Sequence, residues 1–184
     1  MQRGVFIQGL VVLLACAMIE LFSGGFLQQM EGYFTSVLPG VIIMVPPLLG
    51  LRGNINGAFA SRLGTGLHLG SISPKLKLTR ELKVNLLSTL ILSLIASFSI
   101  GFFTYVVGSF TASGTIPLLD ILMIAVIAGF TSGVLLAFLT IFVAVAAYLR
   151  GWDPDNVTAP LMATVGDLIT VLSIWLAVLV VSLV

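Results

Sequence analysis

The stretch that decides the fold is residues 152–175, which read WDPDNVTAPLMATVGDLITVLSIW. It leads into an apolar tail, yet it carries an acid, Asp167, inside the hydrophobic segment. A helix that begins at Pro154 places Asp167 ~20 Å along its axis, near the middle of a hydrocarbon layer ~30 Å thick. An ionised carboxylate at that depth costs roughly 2.5–3.5 kcal/mol. The residue therefore needs a partner, and an ion pathway is the default hypothesis for it.

Polar groups share one face of this helix with Asp167. The residues 3, 4, 7 and 11 positions before Asp167 and 3 positions after it lie on the same side of a helix: Thr164, Ala163, Pro160, Asn156 and Thr170. Pro160 has no N–H, so it frees carbonyl oxygens one turn earlier. Carboxylate, hydroxyl, amide and carbonyl groups offer oxygen only, which suits a hard cation such as Mg2+. These residues are predicted to line a pathway; the alternative is that Asp167 only joins neighbouring helices.

The composition is that of a polytopic membrane protein. Of 184 residues, 59% are hydrophobic and 8% are charged, which is fewer charges than a soluble domain carries. We predict an all-α fold in one transmembrane domain, with five helices at about 4–27, 36–70, 84–110, 117–149 and 154–183. The net charge of +1 comes without a basic run, so nucleic acid is not an expected partner. No Ser/His/Asp or Cys/His set indicates an enzyme.

The second predicted helix is expected to be broken. Its first half carries Pro46 and Pro47, and residues 52–70 read RGNINGAFASRLGTGLHLG, which is too polar and glycine-rich for lipid contact. A broken helix is tolerated at membrane depth only where it lines a cavity or is buried in protein. On this interpretation Asn54 offers an amide oxygen to the pathway. Gly53 offers backbone groups that the break leaves without helical hydrogen bonds. The alternative is a proline kink whose small residues pack closely.

The basic residues predict one orientation. They lie at the N-terminus, in the polar half of the second helix, or in the loops after the second and fourth helices: Arg3, Arg52, Arg62, Lys75, Lys77, Arg80, Lys83 and Arg150. By the positive-inside rule the N-terminus is cytoplasmic and the C-terminus external. The two arginines of the second helix are expected to reach the interface or to pair with an acid. Glu20 and Glu31 are expected to attract cations at the outer mouth. The alternative for Glu31 is a solvent-exposed residue in a turn.

Two separated motifs resemble the membrane domain of the MgtE family of magnesium channels and transporters, and the related animal magnesium solute carriers. The first motif is PPLLGLRGN at residues 46–54, and the second runs from DPDN at 153–156 through Pro160 to Gly166 and Asp167. The resemblance implies a homodimer whose pore lies between the protomers. It also implies Mg2+ at Asp167 and at the carbonyl of Ala163, with Glu31 as the acid at the outer end.

The sequence departs from that family pattern in two ways. It shows no counterpart of the N-terminal and CBS regulatory domains of the bacterial channels, and one repeat where the animal carriers have two. A single repeat favours a homodimer in which paired Asp167 residues bind a largely hydrated Mg2+ as the transported ion. Two alternatives stay open: an exchanger coupled to Na+ or H+, and a membrane scaffold that does not transport.

Overall fold

Five α-helices make up most of what the structure, a computed structural model, describes, namely residues 2–37, 40–75, 77–111 and 117–183. They are α1 Gln2–Val37, α2 Val41–His68, α3 Arg80–Phe110, α4 Leu118–Leu149 and α5 Pro154–Ser182. The predicted all-helical class with five helices is confirmed. Four of the helices are long and apolar enough to cross a membrane: α1 over Gly9–Phe34, together with α3, α4 and α5.

α5 is the central helix of the bundle. It contacts α1, α2 and α4, while α3 packs against α2 and α4 on the far side. α5 begins as its sequence predicts, because the Asp153 carboxylate accepts a hydrogen bond from the backbone N–H of Asp155 at 3.1 Å and Pro154 fills the first position. Its buried residues Ile174 and Val178 join the main apolar core. The helix that carries Asp167 is thus fixed by packing on three sides.

α2 is continuous, contrary to the predicted break at its prolines. Pro46 and Pro47 lie in the second turn of a helix that begins at Val41, and both are exposed. Prolines at these positions remove hydrogen bonds only to the carbonyls of Ile42 and Ile43, close to the helix start. The loss of two backbone hydrogen bonds does not end the helix, which continues to His68.

Two helices are longer than the sequence predicts. α1 was expected to end at residue 27, but it continues to Val37 because Met30 and Phe34, one turn apart, are buried in the main core. Glu31 therefore belongs to a helix and not to a turn. α3 begins at Arg80, since the Thr79 hydroxyl caps it by accepting from the backbone N–H of Leu82 at 3.3 Å.

α3 and α4 approach each other closely through small residues. A Cβ added at Gly101 would lie 2.9 Å from the Cβ of Ala125 and 3.3 Å from the Cα of Leu122. Small residues let the backbones of membrane helices come together, where dispersion forces and weak polar contacts replace the hydrophobic effect.

Gly101→Ala should destabilise the bundle, because the new methyl group meets the backbone of α4. We expect a loss of about 1–3 kcal/mol, seen as a lower unfolding temperature by circular dichroism in detergent micelles. Gly24→Ala is the matched control, since its Cβ would meet nothing within 4 Å. Equal unfolding temperatures for the two variants would contradict the close approach of α3 and α4.

Candidate cation site

Asp167 and Glu20 are neighbouring acids on two helices. Asp167 is partly buried on α5 and Glu20 is exposed on α1. Cys16 of α1 and Leu161 of α5 belong to one small apolar cluster. Because both helices rise 1.5 Å per residue, Glu20, one turn beyond Cys16, comes near the level of Asp167. Their charges accordingly interact. Glu20 is predicted from the sequence to lie at the outer mouth, whereas the structure brings it near the level of Asp167.

The surroundings of this pair favour a cation. Glu20 lies close enough to Asp167 for its negative charge to act on the Asp167 carboxylate. Two adjacent carboxylates in a low-dielectric layer repel each other and lose hydration. A divalent cation offsets both effects, since its charge favours ionised carboxylates. Within the described residues, no group of three or more His, Cys, Asp or Glu side chains is placed to hold a metal ion.

The predicted polar face of α5 divides into two groups. The partly exposed group follows helical spacing: Asn156, Pro160, Ala163 and Asp167. The buried group consists of Thr164 and Thr170. The Thr170 hydroxyl donates to the carbonyl oxygen of Gly166 at 2.6 Å, one turn earlier. Asn156 donates its side-chain amide to the Asp153 carboxylate at 3.1 Å. The accessible oxygens of this face are therefore those of the first group.

α2 brings Asn54 beside this part of α5. A Cβ added at Gly53 would lie 3.8 Å from the Cβ of Ala163, so the two backbones are close. Asn54 is exposed, whereas Asn56 is buried and donates to the carbonyl oxygen of Arg52 at 3.0 Å. Of the two asparagines, Asn54 is the one whose amide is available on the surface next to Ala163.

The outward face of α2 is small and polar. The exposed positions recur every three or four residues: Pro46, Pro47, Gly50, Asn54, Ala58, Ser61, Arg62, Thr65 and His68. α3 instead exposes large apolar side chains: Leu87, Ile91, Ile95, Phe98 and Phe102. Lipid-facing surfaces are apolar, so the α3 face suits lipid and the α2 face does not. Of the five described helices, α2 is also the one without an apolar span.

Glu31 lies apart from the acid pair. It is exposed on α1, ~16 Å further along the helix axis than Glu20. The structure therefore does not bring Glu31 to Asp167. Glu31 lies nearer the end of α1, where it can attract cations but cannot bind the same ion as the Glu20–Asp167 pair.

Four long, apolar helices in one bundle define the class: this is a multi-pass membrane protein. The chain belongs to the MgtE family, whose model is described as a divalent cation transporter and matches residues 45–177. The match includes both sequence motifs and Asp167, and it confirms the resemblance found in the sequence.

Relatives with curated descriptions are solute carriers. Solute carrier family 41 member 2 of Xenopus laevis is 30% identical over 136 residues, which are 72% of this chain and 24% of the relative. Member 3 of Rattus norvegicus is 29% identical over 134 residues, 71% of this chain and 29% of the relative. Member 2 of Homo sapiens is 34% identical over 139 residues, 71% of this chain and 23% of the relative. The chain thus spans about a quarter of the length of these relatives. No solved structure matches the chain significantly.

Removing one of the two acids should stabilise the metal-free protein. Asp167→Asn keeps the shape of the side chain but removes its charge, so we expect a higher unfolding temperature in Mg2+-free detergent. Glu20→Gln should act in the same direction, and the double variant should gain less than the sum.

The control for this experiment is Glu81→Gln, which removes an exposed acid from the first turn of α3. It should change the unfolding temperature little. A lower unfolding temperature in Asp167→Asn would contradict a site made of two repelling acids.

Proposed function

We propose that this chain transports a divalent cation across the membrane, with Mg2+ as the ion, through a pathway between two copies of itself. The observation that carries the proposal is the polar outer face of α2 beside the Glu20–Asp167 pair. A face of that composition at membrane depth needs water or protein against it. A second copy meets that need, because two α2 faces then enclose a space lined by small and polar groups.

The ligands fit a largely hydrated ion. Mg2+ releases water reluctantly and is usually held by one or two carboxylates while it keeps several waters. In a dimer, two Asp167 side chains face each other across the axis, with Glu20 next to each. The Ala163 carbonyl and the Asn54 amide add further oxygen to this level of the pathway. Glu31, further along α1, raises the local concentration of cations at the entrance.

The arrangement of bases supports a cytoplasmic N-terminus. The connection from α2 to α3 and the first turn of α3 together carry four exposed bases: Lys75, Lys77, Arg80 and Lys83. The connection from α4 to α5 carries exposed Arg150. With five crossing helices, these connections and the N-terminus lie on one side, which the positive-inside rule makes cytoplasmic. α2 crosses the membrane in this arrangement because protein and water, not lipid, cover its polar face.

Asp167→Asn should abolish most of the flux. In proteoliposomes the native protein should take up Mg2+ along its gradient, and the variant should stay folded and dimeric but lose uptake, because the charge that binds the ion is gone. Asp120→Asn, which removes a partly buried acid at the start of α4, is the control and should transport normally.

Other outcomes separate the alternatives. Uptake that requires an opposing Na+ or H+ gradient would make the protein an exchanger with the same site. No uptake by the native protein, together with an unfolding temperature independent of Mg2+, would overturn the proposal and indicate a scaffold. Full uptake by Asp167→Asn would show that the acid only joins helices.

Cysteine labelling tests whether water reaches the outer face of α2. The buried Cys16 is first replaced as Cys16→Ser. Asn54→Cys and Ser61→Cys should then react in liposomes with a membrane-impermeant maleimide and should also cross-link two copies. Phe98→Cys, on the apolar face of α3, should do neither. The reverse pattern would place the pathway elsewhere.

A further inference from the structure

The guanidinium of Arg52 is completely buried inside the bundle. Its two terminal nitrogens donate to hydroxyl oxygens on α3: Nη1 to Ser93, and Nη2 to Ser97 at 3.0 Å. These serines are one turn apart, and the planar fork of an arginine spans two such acceptors. From the sequence, Arg52 is expected to reach the interface or to pair with an acid. The structure instead gives it two neutral hydroxyls.

Two glycines of α4 make room for the head of this side chain. A Cβ added at Gly129 would lie 3.0 Å from Nη2 of Arg52, and one added at Gly133 would lie 2.9 Å from Nη1. The same Cβ atoms would also collide with the hydroxyls of Ser97 and Ser93, respectively. The niche for the guanidinium is therefore built from α3 and α4 together.

The base of the Arg52 side chain touches the other side of the bundle. A Cβ added at Gly166 of α5 would lie 3.9 Å from the Cβ of Arg52. Gly166 immediately precedes Asp167, and the residue after Arg52, Gly53, approaches Ala163. One side chain thus joins the turn of α5 that carries the acid to the niche in α3 and α4.

Stability alone does not explain this residue. Burying a guanidinium costs free energy even when it is hydrogen-bonded, and an apolar side chain of similar volume is often as stable or more so. Here the desolvated charge meets hydroxyls, and its Nε has no hydrogen-bond partner among the described residues. The fixed, two-pronged geometry is what an apolar side chain would not reproduce.

We propose that Arg52 is a positioning residue for the cation pathway. It fixes the outer edge of α2, with Asn54, against the Ala163–Asp167 turn of α5, and it uses the niche in α3 and α4 as the anchor. This inference rests on the proposed function, because the distance between those two edges then sets which hydrated cation fits. Loss of the anchor lets α2 shift and reduces the preference for Mg2+ over the larger Ca2+.

The position of α2 is measured by a disulfide. Gly53→Cys and Ala163→Cys, combined with Cys16→Ser, place two Cβ atoms at a separation of 3.8 Å, which is normal for a disulfide. Oxidation should link them efficiently when Arg52 is present. The yield should fall severalfold in Arg52→Met and in Ser93→Ala with Ser97→Ala. Arg150→Met is the control, since Arg150 is an exposed arginine at the C-terminal end of α4 and is not part of the outward face of α2.

Selectivity is measured in the same variants without the added cysteines. The ratio of Mg2+ to Ca2+ uptake into proteoliposomes should fall about tenfold in Arg52→Met. A change of this size is within the range by which two contacting parts of a protein, here Arg52 and the Ala163–Asp167 turn, influence each other. It should fall less in Arg52→Lys, which reaches one hydroxyl, and should not change in Arg150→Met. A lower amount of folded protein would reduce both fluxes but not their ratio.

Each outcome decides one question. If the native protein transports Mg2+ but Arg52→Met changes neither the Mg2+/Ca2+ ratio nor the cross-link yield, the proposed role of Arg52 is overturned. The proposed function is then unaffected. Absence of native transport overturns the proposed function, and the cross-link yield still decides whether Arg52 fixes α2. If Arg52→Met does not fold, the double serine variant, which removes only two hydroxyls, gives the same decision.

Discussion

A hydrocarbon layer offers no water to polar groups, so each polar side chain at that depth needs a partner within the protein. Many hydroxyls of this bundle meet the need inside their own helices. Ser97, Ser132 and Thr140 donate to the carbonyl one turn earlier, at 2.7, 2.6 and 2.6 Å, respectively. Charged groups have no such local solution, because a backbone carbonyl neutralises neither sign. The few charges within the bundle therefore determine where helices must meet.

The charges fall into two kinds that α5 separates. Arg52 is enclosed on the side of α3 and α4, where hydroxyls and glycines surround it. Asp167 and Glu20 remain partly open on the side of α1. α5 contributes to both, with Gly166 against the arginine and Asp167 toward the other acid. The enclosed guanidinium of Arg52 fixes the positions of the helices. The two acids remain open, so their carboxylates are free to bind an ion from outside the chain.

The sequence predicts much of this through local patterns. The apolar runs give four of the helices, and Asp153-Pro154 gives the start of α5, because capping and the proline position depend only on neighbouring residues. Asp167 is conspicuous since an acid inside an apolar helix is costly wherever the helix lies. The effect of Pro46 and Pro47 was not predictable in the same way, because it depends on their distance from the helix start at Val41.

Other features depend on contacts between helices. Glu20 meets Asp167 only because α1 and α5 pack in a particular register, and no spacing in one segment fixes that register. The extension of α1 follows from the burial of Phe34 in a core shared with other helices. The residues around Arg52 show a pattern in the sequence, namely serines one turn apart in α3 and glycines one turn apart in α4. This pattern does not indicate which side chain the serines bind. Pairing the two patterns requires the fold.

The polar outer face of α2 has a consequence for biosynthesis. Segments enter the bilayer from the translocon one after another, and each is sorted by its own hydrophobicity. α2 lacks an apolar span, so it gains little from lipid when it leaves the ribosome. α3 and α4 cover part of its inner side, but α5, which covers the rest, begins only at Pro154, after the other helices have been made. We therefore expect α2 to remain loosely inserted until α5 arrives, which makes the joining of these two helices the late, committing step of membrane assembly.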